Sequence, residues 1–417
     1  MTGFKELSRN RDFTTLWVGE TVNELGSRMS MFVFPLLAYS ISGSALIAAL
    51  VEGTFLFGLI ATLLPAGALV DRLNRRVLMI GASAAGLMLY GSLAVAGIFW
   101  HLTIPHLAIV GLLAGAAAGI FEPAQMSAIR TVVSTEDLPT ALSQNQARQH
   151  VASLLGAPLG GLLYAFARWV PFAADAVSFA ISCFTVSRIR TDLSAKPSAQ
   201  PRARIRADIA EGIRYVMARP FFRVSVVSAS FANLTVNALF FVVLLRMLDA
   251  GFQPSQIGLA ETAAGIGGIL GAIAAPRLIE AVPTGRLAVL IGWSLVLPVL
   301  PLIVWANPFV VGAALFAILL LNPAGNAGMG SYRMAITPDE LQGRVASASQ
   351  FLAMSVMPLA PLLGGLLLER FGGPRAVIVL AAATVVAALL VTCSRSVRSI
   401  PRPAEWARLE RPEPVAV

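Results

Sequence analysis

The chain has 417 residues, of which 57% are hydrophobic and only 13% charged, about half the charged share of a soluble domain. That balance excludes a soluble enzyme or a large soluble domain and leaves an integral membrane protein. The net charge of +9 is then to be explained by membrane topology before any nucleic-acid partner is invoked.

Apolar windows of ~20 residues, enough for a helix to cross ~30 Å of hydrocarbon, recur twelve times. They fall at 14–41, 46–69, 77–99, 105–129, 140–166, 171–188, 221–247, 255–279, 287–305, 308–332, 341–368 and 374–394. The windows opening at 140 and 341 have polar first turns. Pro35, Pro65, Pro158, Pro298, Pro358 and Pro361 lie inside spans and mark possible kinks, which membrane helices tolerate. The N-terminal MTGFKELSRNRDF lacks the compact apolar core of a signal peptide, so a retained cytoplasmic end is expected. Cys183 and Cys393 both fall in apolar runs without metal-type spacing and read as free thiols. No metal or cofactor site is expected.

Between the second and third spans stands the short polar turn GALVDRLNRR, residues 67–76, with Asp71, Arg72, Arg75 and Arg76. Its arginines predict a cytoplasmic turn. With an inside N-terminus and twelve spans, 25 of the 31 Lys and Arg residues fall on cytoplasmic segments and 4 outside, with Arg28 and Arg148 inside spans. Both ends of the chain are therefore expected in the cytoplasm.

The one long polar connection, 188–220, divides the chain into an N-terminal six-helix half (1–187), a cytoplasmic linker, a C-terminal six-helix half (221–394) and a cytoplasmic tail (395–417). The linker contains IRADIAEGIRYVMA, with Ile205, Ile209, Ile213, Val216 and Met217 at helical spacing. This amphipathic helix lies either on the inner membrane surface, its arginines meeting lipid headgroups, or free in solvent. The halves repeat each other: GAPLGGLL at 156–163 matches APLLGGLL at 360–367, TEDL at 135–138 matches PDEL at 338–341, and Pro123-Ala124 matches Pro323-Ala324. Ordered matches at offsets near 200 indicate duplicated six-helix units, the plan of a transporter with its substrate site between the halves. A monomer is expected.

Ionisable groups inside spans are costly and are functional candidates by default. In the first span Glu20, Asn23, Glu24, Ser27 and Arg28 share one helical stripe. Glu24 and Arg28, four apart, form either a structural pair or part of a proton-coupling site. An acid in a low-dielectric cavity can exchange between protonated and ionised states near neutral pH, so Glu24 leads the coupling candidates, followed by Glu20 and then Glu122. Asp175 and Glu261 lie near the outer span ends, where solvation or helix packing is expected, and Glu52 is a further intramembrane acid. Arg148, in the polar opening SQNQARQH of the fifth span, either faces the cavity, where it would bind an anionic substrate group, or protrudes into the cytoplasm. Asn233 with Asn237, and Asn322 with Asn326, are pairs four apart that line the cavity or bond neighbouring helices. GIGGILG at 265–271 fails as a dinucleotide fingerprint because Leu270 replaces the third glycine, so Gly267 and Gly271 read as a helix-packing seam. With no P-loop in the sequence, ATP is not the expected energy source.

The turn GALVDRLNRRVLM resembles the signature loop of the major facilitator superfamily, with Asn74 where a glycine is usual. FTTLWVGETVNELGS, FEPAQMSAIRTVV, DAVSFAIS and TPDELQGRVASASQ resemble its drug and siderophore exporter branch. Two positions depart from the antiporter pattern: 107–119 holds no arginine, and Ala157 separates Gly156 from Pro158. The resemblance implies a twelve-helix all-α fold in the cytoplasmic (inner) membrane, export of amphiphilic small molecules in exchange for protons, and no enzymatic activity. It also implies a conformational lock built from Gly67, Asp71, Arg72, Arg75 and Arg76, with Arg130 as the partner of Asp71. Alternatives are an importer or lysophospholipid flippase, with Arg28 and Arg148 on an anionic head, and a non-transporting scaffold or receptor.

Overall fold

The computed structural model describes residues 7, 9–70, 73–134, 137–194, 203–338 and 341–408, and these are helical with no strand. The long helices of the first half are α1 (Arg11–Ser42), α2 (Ala45–Val70), α3 (Arg75–Phe99), α4 (Ile104–Val132), α5 (Leu138–Phe166) and α6 (Val170–Ser187). After the linker helix α7 (Ala203–Ala218) come α8 (Pro220–Asp249), α9 (Pro254–Ala281), α10 (Thr284–Ser294), α11 (Pro308–Ile336), α12 (Gln342–Met354), α13 (Leu359–Phe371) and α14 (Gly373–Cys393). Among the described residues ten segments are long and apolar enough to cross a membrane, two fewer than the twelve predicted. The difference lies in α1 and α5, which are long enough at 32 and 29 residues but carry the polar residues Glu20, Glu24 and Arg28, and Asn145 and Arg148.

Paired prolines break two spans. Beyond α10 the chain tightens into a 3-10 helix at Leu297–Ile303 containing Pro298 and Pro301, and α12 and α13 are separated just ahead of Pro358 and Pro361. Two prolines three apart remove consecutive backbone donors from the same side of a helix, so the α pattern cannot bridge the gap. The single prolines Pro35, Pro65, Pro158 and Pro323 stay inside continuous helices.

The chain forms two compact units, Met1–Ala199 with Met247–Thr262, and Gln200–Arg246 with Ala263–Val417. In the first, α2 packs along α4, and α6 lies against both α1 and α3. At one end Phe13, Leu16, Met79, Ile129, Val186 and Leu193 form a buried cluster. Asn10 caps α1 through its side-chain oxygen and donates to the Val132 carbonyl at the end of α4, 3.0 Å away. Asp12 accepts from the Arg190 N–H and from both the N–H and hydroxyl of Thr191 at 2.6–3.1 Å. Burial would push the Asp12 carboxyl up, but these hydrogen bonds outweigh it and hold Asp12 below the usual carboxylate range.

In the second unit α10 packs on α11 and α14. The linker helix α7 has a protein neighbour that the sequence did not show. It packs against α12, where Glu211 pairs with Arg344 and Gly212 abuts the Arg344 backbone. Tyr215 and Val216 enter a core with Phe222, Val345, Val397 and Ile400, whereas Met217 stays exposed. Packing on the protein thus takes Ile213 and Val216 of the apolar face read from the sequence; the side chains of Ile205 and Ile209 are outside the description.

The repeat read from the sequence has a packing counterpart in each unit. A Cβ on Gly160 of α5 would come within 2.9 Å of the Met29 carbonyl oxygen on α1, and one on Gly364 of α13 within 2.8 Å of the Ala238 carbonyl oxygen on α8. Both glycines bring the fifth or eleventh span against the backbone of the first span of its own unit. Gly267 and Gly271 likewise face the Phe316 and Leu320 carbonyls of α11, which makes GIGGILG the packing seam expected.

Candidate functional site

The polar stripe of α1 faces the interior of the first unit. Glu20 and Asn23 are buried, which an acid tolerates only with compensating partners. Ser182 of α6 donates to Glu20 Oε1 at 2.9 Å, and Ser83 of α3 lies 3.0 Å from Ser182 Oγ, forming a hydroxyl chain that leads to the carboxylate. Asn23 also bonds Glu20 through its side chain, although Asn23 Oδ1 is buried without a partner.

Arg148 does not protrude into the cytoplasm. It is 3% exposed, with Nη1 donating to the Glu20 backbone carbonyl and Nη2 to Asn145 Oδ1 at 2.8 Å, and its charge acts on Glu20. Two of the five guanidinium N–H donors are thus used by the protein itself, because the polar face of α5 packs onto α1, while Nε is buried without a partner.

One turn along α1, the Glu24 carboxylate and Arg28 Nε pair at 2.9 Å, with side chains 22% and 41% exposed. Glu122 of α4 is exposed and close enough that both Glu24 and Arg28 act on its charge. Glu24 and Arg28 form an accessible ion pair, with Glu122 of the neighbouring helix near enough to feel both charges, beside the closed Glu20–Ser182–Arg148 arrangement. A group with two competing acids can exchange partners, and an acid released from its arginine can take up a proton.

The predicted asparagines of the second unit make one bond between helices and two within a helix. Asn233 donates to the Ala353 carbonyl at 3.2 Å, Asn237 to the Asn233 carbonyl at 2.7 Å, and Asn326 to Asn322 Oδ1 at 2.8 Å. Asn326 also lines a cavity of about 200 Å³, together with Phe221, Phe222, Val226, Ile291, Leu295 and Arg333. That volume admits an apolar group but falls short of a drug-sized ligand.

At the signature turn, Asp71 and Arg72 lie outside the described residues. Gly67 belongs to the last turn of α2. Asn74 adopts φ −63° and caps α3 by accepting from the Arg76 N–H, so it replaces glycine as a helix cap and needs no left-handed backbone. Arg75 donates to the Thr131 hydroxyl at 3.1 Å and Arg76 to the Thr191 carbonyl at 2.8 Å, contacts that lie within the first unit. Arg130 is exposed.

Three features escaped the sequence reading. Ser83, Ser182 and Asn145 complete the Glu20 environment. Glu52 and Glu261, both of the first unit, act on each other's charge, and Glu52 Oε2 is buried without a partner. Asp175 is fully buried, which agrees with helix packing over solvation, but its contact with Gly26 of α1 was not read from the sequence. A signal for α6 stands in DAVSFAIS, where Asp175, Ser178 and Ser182 fall three and four apart on one helical face.

The family described as transmembrane secretion effector matches residues 2–415. A multidrug efflux pump, Tap, of Mycolicibacterium fortuitum is 26% identical over 375 residues, 83% of this chain and 87% of that one. The Tap pump of Mycobacterium tuberculosis H37Rv is 28% identical over 371 residues, 83% and 84% of the two chains. Among solved structures, a bacterial homologue of the iron transporter ferroportin in an inward-facing state aligns with a TM-score of 0.71 at 18% identity, covering 92% of this chain and 98% of that one. The nucleoside transporter NupG aligns with a TM-score of 0.77 at 11% identity, covering 92% and 99%. At such identities the structural likeness speaks for the fold alone.

Proposed function

The chain belongs to the transmembrane secretion effector family of major facilitator transporters, and from that premise we propose that it exports amphiphilic small molecules, drugs or siderophore-like metabolites, in exchange for protons by alternating access of its two six-helix halves. The observation that carries the reading is the Glu24–Arg28 pair with Glu122 beside it. An accessible ion pair with a second acid within reach of its charge lies there inside a membrane protein, an arrangement suited to trading a counter-charge for a proton. Glu20, closed in by Ser182 and Arg148, holds the stripe in place and is second in line for coupling. The similarity to multidrug efflux pumps supports drugs as the substrate class. The arginine-rich segments at 72–76 and 188–223 support a bacterial-type cytoplasmic membrane location with both ends inside.

Inside-out vesicles carrying the protein and an acid interior test this. A transported compound added outside releases protons from the vesicle in wild type, and Glu24→Gln lowers that release roughly tenfold or more. Equal discharge by wild type and Glu24→Gln with the same transported compound removes Glu24 from the coupling role. A purified, folded protein that moves no compound across drug and siderophore panels overturns the export reading itself.

A further inference from the structure

The cavity of the second unit follows from the residues placed around it. Ser225, Ala229 and Ala232 fall three and four apart on one face of α8, and Gly292 of α10, Ala353 of α12 and Ala388 of α14 add further small side chains to the wall. Small residues meeting from several helices leave a void of about 200 Å³, far larger than the water-sized gaps of a packed interior. All of its lining residues belong to the second unit.

Arg333 of α11 is, among the described residues, the one charged side chain that lines this void. It is half-buried. Other arginines at comparable depth have partners: Arg28 and Arg344 pair with acids, and Arg148 and Arg246 donate to carbonyls. Among the described residues Arg333 has neither. Its place in the last turn of α11 offers the negative end of a helix dipole, which is worth less than a paired carboxylate. The void is also polarised along its length. Tyr332, next to Arg333, meets the Phe221 ring edge-on at 4.9 Å between centroids, so the Phe221 end is the cationic end. Asn326 lines the cavity two turns away on the same face of α11, ~11 Å along the axis.

From this geometry we propose that the second unit binds a medium-chain monocarboxylate, with its carboxylate on Arg333 and its chain among Phe222, Val226, Ile291 and Leu295. One arginine selects a single negative charge; a second charge on the ligand would stand uncompensated among apolar walls. The planar guanidinium receives a carboxylate bidentately. The volume lies below the ~300 Å³ at which pockets for drug-sized ligands begin, which excludes a two-chain lipid and suits a chain of octanoate's length. An occupant supplies the van der Waals contacts that the small residues leave unmade between α8, α10, α11, α12 and α14. The site owes nothing to the Glu24–Arg28 pair of the first unit, so it stands or falls apart from the proton-export reading.

The test measures binding. Full-length protein in phosphatidylcholine nanodiscs is irradiated with octanoic acid carrying a terminal diazirine, and the adducts are mapped by peptide mass spectrometry. Adducts are expected on 225–232 and 288–295, with unlabelled octanoate displacing the probe at concentrations ~10-fold below those of octanol. Arg333→Gln removes that advantage of octanoate, and Arg333→Lys restores part of it. Ala229→Phe, which fills the void and keeps Arg333, abolishes the adducts and serves where Arg333→Gln fails to fold. Adducts scattered over the helices and insensitive to octanoate overturn the proposal, as does equal displacement by octanoate and octanol in wild type. Displacement by phosphatidylglycerol added to the nanodisc assigns Arg333 to a lipid headgroup and equally overturns it.

Discussion

The two units share a packing scheme and differ in what they bury. Among the described residues the buried ionisable acids and bases, Glu20, Arg148 and Asp175, all belong to the first unit, whereas the buried polar side chains of the second are serines and threonines, Ser228, Thr235, Thr284, Thr337, Ser349 and Thr384. Except for Thr284, those hydroxyls serve nearby backbone, as Thr235 does by donating to the Phe231 carbonyl at 2.9 Å and Ser349 to the Val345 carbonyl at 2.7 Å. A hydroxyl satisfied by its own helix costs little to bury; a charge must find a partner on another helix. Duplication therefore preserved the close approach of helices, while among the described residues only the first unit holds fully buried charge.

Substitution can break or sharpen that contrast. The largest effect is expected at Arg148→Ala, which leaves the Glu20 carbonyl, Asn145 and a buried carboxylate uncompensated and costs about 3–5 kcal/mol in denaturant or thermal unfolding. Asn233→Ala, its counterpart in the neutral unit, removes one hydrogen bond to Ala353 and costs about 1 kcal/mol. Equal costs would show that the contrast in buried charge has no energetic weight. Next come Gly160→Ala and Gly364→Ala, each forcing a methyl against a carbonyl oxygen of the neighbouring helix, for about 1–3 kcal/mol apiece. Similar losses support one inherited packing rule, and a loss confined to one unit breaks it.

The smallest effect concerns Asp12. Its carboxyl is held below the usual range in the folded protein, so its stabilising contribution is complete above the unfolded value of ~3.9 and is lost as pH falls through the folded value. Asp12→Asn should lower stability at neutral pH by about 0.5–1 kcal/mol, discounted for solvent screening. Its Tm should converge on that of wild type below roughly pH 4. A difference that persists into acid would mean that the hydrogen-bond geometry, and not the charge, carries the contact.

Much of this architecture was legible because a membrane helix advertises itself by composition alone, and the glycine pairs at 160–161 and 364–365 stand out against apolar sequence. The facing of individual helices was not legible. Arg148 sits in a run of polar residues that is equally compatible with a cytoplasmic end and with burial, and only the packing of α5 on α1 decides between them. Asp175 looked peripheral by its place five residues from the start of α6, yet depth along a helix says nothing about which neighbours surround it. The linker helix showed its apolar face plainly while giving no indication that α12 would cover it. The prolines carried more information than their count: those spaced three apart interrupt a span, and isolated ones do not.

The tail beyond α14 has a practical consequence for anyone attaching a reporter to this protein. By hydropathy the last span ends near 394, a natural place to cut and fuse. Yet Val397 and Ile400 are buried in the core of the second unit, the carbonyls of Ile400 and Pro401 accept from the N–H groups of Gly285 and Thr284, and the Trp406 ring packs on Tyr332. A fluorescent partner spliced at Ser394 would strip a seam from the folded domain and report on a damaged protein, whereas one joined after 408 leaves that seam whole.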